Sequence, residues 1–371
     1  MANKVNWISR KGLNFYQTFR NIQNEKLFTP TNALRALGIF LRKPLVGPLK
    51  INIDITDKCD MDCSMCWNHS IFKKAAYVNK DSFLPLQRLE SLARELKSIK
   101  VKVIMLSGEG EPLLHPHIEK IVEILRRNSL EVEILTNAYY LNKERVDFFK
   151  KAGLKKVIVS MHAPDAETFL RIRPRRTKED FEKIIDNLLH LKRVRAGQQR
   201  PHLFIINVLS AFNCNAVAEM VKLAESLKAD KIIFKPLILT SDLPESLSIS
   251  INQIRPLINT LKKISFYANI PNNINDYVIA LEKMYLGERA DPTPKKSDIY
   301  ASLLCYNPFG QSIINLRGNV LGCVYAKAYV LGNIYESSFP DIWFSRQYNE
   351  FRKNYYCPVY CLGRAVYPLL I

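Results

Sequence analysis

An α/β fold built on a parallel sheet, followed by a small cysteine-rich C-terminal unit, is the architecture this sequence predicts. Three observations carry that expectation. Short apolar cores rich in β-branched residues recur through residues 49–240, and amphipathic runs of helical period separate them. In residues 301–371 the pattern changes: Cys305, Cys323, Cys357 and Cys361 lie among turn-forming Gly310, Gly318, Gly322 and Gly332.

Residues 1–48 form a basic aromatic N-terminal extension. The first 50 residues hold nine Lys or Arg against Glu25 alone, together with Trp7, Phe15, Tyr16, Phe19, Phe28 and Phe40. Leu34, Leu37 and Leu41 are spaced to share a helix face before Pro44 and Pro48 end the pattern. Such a segment suits either an arm packed over the main domain or a helix lying on an anionic membrane surface.

The core follows in residues 49–240. Ile51, Ile53 and Ile55 alternate with Asn52, Asp54 and Thr56 as in a half-buried strand. Five more apolar cores come at Val101 to Leu106, Val132 to Leu135, Val157 to Val159, Leu203 to Val208 and Ile232 to Phe234. Amphipathic runs such as Leu86 to Ile99, Ile118 to Leu125, Phe181 to Leu191 and Val217 to Leu227 lie between them, so right-handed parallel crossovers follow. Polar and glycine residues collect where the strands end: Thr56 to Cys66, Ser107 to Glu111, Thr136-Asn137, Ser160 to His162, and Lys235-Pro236. In parallel α/β folds that edge carries the site. Residues 241–300, with five prolines, are expected to be a helical linker.

The strongest chemical signal is Cys59, Cys63 and Cys66, a CxxxCxxC run after the first strand. A four-iron cube accepts three thiolates and leaves one iron open, whereas tetrahedral structural zinc wants four ligands. Half of a zinc site completed by His69, or three thiols without a shared partner, are the alternatives. Cys214 stands apart from both cysteine groups and reads as a packed thiol.

Taken in order, CxxxCxxC, then Gly108-Glu109-Gly110-Glu111-Pro112, then Thr136-Asn137, then Ser160 resemble the radical S-adenosylmethionine (SAM) superfamily over residues 49–240. Residues 301–371 resemble its twitch or SPASM extension through Cys305, Gly318, Cys323, Asn333, Ile334, Trp343 and Arg352. The resemblance implies a partial (β/α)6 TIM-like barrel, SAM, and two 4Fe–4S clusters. Cys59, Cys63 and Cys66 would hold the radical-generating cluster, and Cys305, Cys323, Cys357 and Cys361 an auxiliary one. It further implies SAM contacts from Gly108, Glu109, Gly110, Glu111, Asn137, Ser160, Arg173 and Phe234. Two positions depart from the family pattern: Met65 replaces a common aromatic, and Ala138 the usual glycine.

The implied activity is that of a radical SAM oxidoreductase. A 5′-deoxyadenosyl radical takes a substrate hydrogen, and the auxiliary cluster serves oxidation or substrate binding, on a sugar, a cyclitol or a lipid-linked metabolite. A peptide-modifying SPASM maturase and an RNA-modifying enzyme are the alternatives; the formal charge of +19 raises the latter, but no RNA-binding module is recognisable. An external one-electron donor such as flavodoxin or ferredoxin is implied as partner. No run approaches the roughly 20 apolar residues of a membrane span, and no secretory h-region opens the chain. The expected location is the cytoplasm, with peripheral contact at the inner face of the membrane through residues 1–48.

Overall fold

The computed structural model describes residues 29–73, 82–196, 200–285, 307–323 and 329–354. The expected auxiliary ligands Cys305, Cys357 and Cys361, and most of the N-terminal extension, lie outside these. Among the described residues, no helix is long and apolar enough to cross a membrane.

Strands and helices alternate in chain order. α1 (Pro30–Phe40) precedes β1 (Lys50–Asp54), and then come α2 (Leu86–Ser98), β2 (Val103–Ser107), α3 (Ile118–Arg127), β3 (Glu131–Thr136), α4 (Lys143–Lys151) and β4 (Lys156–Ser160). Next are α5 (Ala166–Ile172), α6 (Lys178–Val194), β5 (His202–Leu209), α7 (Val217–Ser226) and β6 (Lys231–Pro236), followed by α8 (Ile251–Tyr267) and α9 (Ile274–Tyr285). The C-terminal part supplies β7 (Gln311–Ile314), β8 (Asn319–Leu321), β9 (Val330–Asn333), α10 (Phe339–Phe344) and α11 (Arg346–Asn354).

The nine strands among the described residues belong to one sheet, ordered β6-β5-β4-β3-β2-β1-β7-β8-β9. The first six are parallel, as the alternating pattern requires, and form a partial barrel. β7 pairs parallel with the free side of β1, and β8 and β9 add antiparallel strands beyond it. The C-terminal strands therefore extend the core sheet.

Registered neighbours share a face. Lys50, Asn52 and Asp54 of β1 lie on the same face as Met105, Glu133, Ile158, Phe204 and Ile233, which makes that face the barrel lumen. The isoleucines of β1, fully buried, point instead to the helix layer. The lumen floor is charged: Glu133 bonds Lys50 at 2.6 Å and Lys156 at 3.0 Å, and Lys156 sits over the Phe204 ring. Burial raises the Glu133 carboxyl, but the two ammonium groups outweigh it and hold its pKa at about 2.

Residues 251–285 are more than a connection. α8 begins at Ser250 with a capping box involving Gln253 and carries Pro256 inside it. Asn273 then bonds both the backbone N–H and the carbonyl of Phe234, satisfying the otherwise open edge of β6. The C-terminal unit is tied back by Phe339 N–H to Glu95 and by the Trp343 indole to the Val46 carbonyl.

Candidate active site at the strand ends

Thr56 closes β1 by an isolated bridge to Phe83, and the cysteine loop follows at the C-terminal end of the strand. Cys66 N–H turns back onto the Cys63 carbonyl, and Ser64 N–H reaches the Ile172 carbonyl at the end of α5. Met61 and Met65 are buried beneath the loop, so the methionine standing in for an aromatic serves as packing.

The 108–111 loop lies directly on this segment. Gly110 N–H donates to Thr56 O at 3.0 Å, and Glu111 N–H to Lys58 O at 2.7 Å. A Cβ at Gly110 would stand 2.1 Å from Lys58 O, and one at Gly108 2.6 Å from Gly110 O. Both glycines are therefore required by close backbone approach. The Glu109 carbonyl accepts from Asn68 Nδ2 at 3.1 Å and lies 2.9 Å from the His69 ring. His69 is thus engaged with a carbonyl, which argues against its completing a zinc site with the three thiols.

Glu111 is a buried hub. Its carboxylate accepts from Thr136 Oγ1 at 2.6 Å, Asn137 N–H at 2.7 Å and Leu113 N–H at 3.0 Å. Burial pushes its pKa up to about 7 against the pull of those three bonds. Asn137 also donates from its side chain to Asp60 at 3.1 Å. Ala138, at φ +65°, occupies the left-handed conformation that explains why glycine is usual there.

Arg173 is almost wholly buried. Its Nε donates to Cys63 Sγ at 3.2 Å, its Nη1 to the Met161 carbonyl and its Nη2 to the Ser160 carbonyl. Ser160, on the lumen face, is half-buried. Phe234 differs from expectation. Its registered partner is Asn207, so its side chain lies on the helix-packed face, 6.4 Å from the Tyr277 ring, while Ile233 and Lys235 face the lumen. His162 is buried with Nδ1 accepting the Val208 N–H, and desolvation, then Arg173 and Lys235, push its pKa well down. That ring is a neutral structural group. Cys214 is a packed thiol with 1% exposure.

Sequence reasoning missed the acidic and basic groups that clamp the loop. Asp60 meets Arg176 at 2.9 Å, and Asp62 meets Arg175 at 3.4 Å. Together with Cys59, His69 and Lys73 these line a cleft of about 460 Å³. Of the site residues predicted from the sequence that fall within the described residues, only Cys59 lines it.

The donor set fits a thiolate-held cluster. Asn68 and His69 N–H groups donate to Cys66 Sγ at 3.4 and 3.2 Å, and Arg173 donates to Cys63 Sγ, as anionic sulfur requires. Burial pushes the free Cys59 and Cys66 thiols upward, a balance that a bound metal cation reverses. Among the described residues no three His, Cys, Asp or Glu side chains already close on one ion, so the thiols must turn inward on binding. Cys323, the one expected auxiliary ligand that falls within the described residues, is buried, with Asn307 Nδ2 4.0 Å from its sulfur. Two residues past Leu321, which pairs with Ile313, it lies near the start of β1. At about 3.3 Å per residue, the five residues of β1 put it roughly 16 Å from the level of the cysteine loop.

Family models match the chain twice: the radical SAM superfamily over residues 53–224, and an iron–sulfur cluster-binding SPASM domain over residues 305–363. A tungsten-containing aldehyde ferredoxin oxidoreductase cofactor-modifying protein of Pyrococcus furiosus is 23% identical over 332 residues, 82% of this chain and 84% of that one. A GTP 3′,8-cyclase of Aquifex aeolicus is 32% identical over 146 residues, 38% of this chain; the match spans 44% of the cyclase's length. In fold, Streptococcus suis SuiB matches with TM-score 0.64 at 16% identity, covering 93% of this chain and 78% of SuiB. AdoMet-bound anSMEcpe with a Cp18Cys peptide gives 0.59 at 17% identity and 83% coverage of each chain.

Proposed function

Since the chain belongs to the radical SAM superfamily and carries a SPASM domain, with SAM and 4Fe–4S clusters as its cofactors, we propose that it oxidises a small polar metabolite held in the upper barrel lumen. When bound, SAM and the cluster beside Cys59, Cys63 and Cys66 supply a 5′-deoxyadenosyl radical that takes a substrate hydrogen atom. Everything else falls to this chain's own residues. The observation that carries the reading is the cysteine loop strapped by Gly108–Glu111 at the strand ends, directly above a lumen whose mouth carries Asp54, Ser107, Ser160 and Lys235.

The strap fixes the loop through the backbone bonds of Gly110 to Thr56 and of Glu111 to Lys58. Arg173, Asn68 and His69 hold the sulfurs through hydrogen bonds. Asp54, Ser107, Ser160 and Lys235 ring the lumen mouth, with Ser107 Oγ donating to Asp54 at 2.9 Å. Groups of both signs suit a hydroxylated substrate such as a sugar or cyclitol, and the closed Lys50–Glu133–Lys156 floor limits its depth. A sulfur site near Cys323, one strand length away, suits passage of the remaining electron better than direct ligation of substrate. An external one-electron donor such as flavodoxin or ferredoxin completes the cycle. The location on this reading is the cytoplasm, with residues 1–48 against the inner membrane face.

A peptide substrate is the second reading. Its support is the likeness of fold to SuiB, whose crystals include one with its precursor peptide SuiA, and to anSMEcpe with bound peptide. Anaerobic reconstitution should give about eight irons per chain, for two four-iron clusters. Deuterium transfer from labelled sugars or cyclitols into 5′-deoxyadenosine, with one two-electron-oxidised product per SAM consumed, is the expected result. Transfer only from peptides would overturn the metabolite reading, and bound zinc without SAM cleavage would overturn both.

A further inference from the structure

α1 is an inside-out amphipathic helix. Its buried stripe is Arg35 and Gly38, whereas Ala33, Leu34, Ala36, Leu37, Phe40 and Leu41 form one exposed face without a charge. Leu37 is 45% exposed and Phe40 83%. A helix held only by apolar burial would turn these side chains inward. Here polar bonds fix the opposite orientation: Arg35 donates to the carbonyls of Gly47 at 3.1 Å and Lys100, and to Asn32 at 2.7 Å. Gly38 lets the chain fold back beneath the helix, since a Cβ there would stand 3.0 Å from Lys43 O. The outward apolar face is thus built in.

We propose that this face docks on an anionic lipid bilayer, with Leu34, Leu37, Phe40 and Leu41 entering the head-group boundary. The proposal rests on the peripheral-membrane part of the reading above and narrows it to one helix face. Charge argues for this occupant. Exposed Arg42 and Lys43 follow Leu41 directly, and apart from Arg35 and Lys50, whose charges are bound inside the fold, the first 50 residues carry seven basic groups against one acidic. Apolar side chains beside Lys and Arg are what an anionic interface binds. A second copy fits less well, because five partly covered side chains, Leu45 included, fall short of the roughly 800 Å² per partner of a stable dimer.

The placement has a geometric result. Arg35 grips the segments that enter β1 and β2, so α1 lies at the N-terminal end of the strands, opposite the cysteine loop. The bilayer would meet the barrel floor, and the lumen mouth would open away from it.

Co-sedimentation of the reconstituted full chain with phosphatidylglycerol/phosphatidylcholine vesicles tests this. Wild type should bind these vesicles and not pure phosphatidylcholine. Leu37→Ser/Phe40→Ser should lose at least tenfold in binding, and Arg42→Ala/Lys43→Ala roughly fivefold per cation removed. Phe266→Ser, which alters an aromatic 90% exposed on α8, should bind as wild type does. Iron content and SAM cleavage should be unchanged in all three. Wild-type binding unaffected by Leu37→Ser/Phe40→Ser overturns the face assignment and leaves peripheral contact standing. No wild-type binding overturns both, and the metabolite reading survives either result. A lipid-free dimer by analytical ultracentrifugation that Leu37→Ser/Phe40→Ser dissociates assigns the face to a second copy and overturns the bilayer.

Discussion

Arg176 grips Asp60 twice, at its carboxylate across 2.9 Å and at its backbone carbonyl, so the segment between Cys59 and Cys63 is pinned by a residue 116 positions later. Both partners are largely covered, and Arg176 lies over the Tyr139 ring. A charged hydrogen bond of this kind contributes about 1.5–3 kcal/mol. Arg176→Ala should therefore release iron to a chelator at least tenfold faster than wild type, with Arg176→Lys intermediate because it keeps the charge and loses the fork. Following cluster absorbance under anaerobic chelation checks this.

Gly110→Ala should be far more damaging than its size suggests. The new Cβ would collide with the Lys58 carbonyl, which is backbone and cannot rotate away, so the strap must lift off the cysteine loop. The expected outcome is a loss of SAM cleavage of roughly a hundredfold, with reduced iron retention and a folded barrel by circular dichroism.

Glu111 should leave a mark on the pH dependence of stability. Its folded pKa of about 7 lies above its ordinary value of 4.5, so the folded state holds a proton that the unfolded chain releases. Stability from this group is present below pH 4.5 and falls as pH rises to 7, by at most about 3 kcal/mol. Denaturant unfolding between pH 5 and 8 should show that decline in wild type and lose it in Glu111→Gln.

Glu133→Ala strands two lysines on the lumen floor. Lys50 and Lys156 each keep only 11% side-chain exposure, so their charges would be buried without a partner. The expected cost is about 3–5 kcal/mol in unfolding free energy. Lys50→Met/Glu133→Leu/Lys156→Met should recover most of it.

The strands were legible because β-branched runs and helical periods alternate cleanly, and the cysteine loop because its ligands are local in sequence. The Asp60–Arg176 clamp was not legible. Nothing nearby marks a pair formed between distant segments, and Arg171, Arg173, Arg175 and Arg176 look alike until the fold assigns each a separate partner. The strand that carries Phe234 is legible and the facing of its side chain is not, since β6 is apolar on both faces at Ile232, Ile233 and Phe234 and alternation gives no parity. The periodicity of Leu34, Leu37 and Leu41 predicted a shared helix face, and the face is shared. Which way it points depends on Arg35 bonds to carbonyls that pattern alone does not reveal.

The pairing of β7 with β1 makes the core sheet and the C-terminal strands one mechanical body. β1 sits inside the sheet only because residues 311–314 occupy its outer side. A chain cut before β7 would present that row of N–H and C=O groups to its neighbours, and unpaired strands recruit copies of themselves. Such a truncation should aggregate rather than yield a smaller working enzyme, and in the intact protein the amides of β1 should be among the last to exchange with solvent.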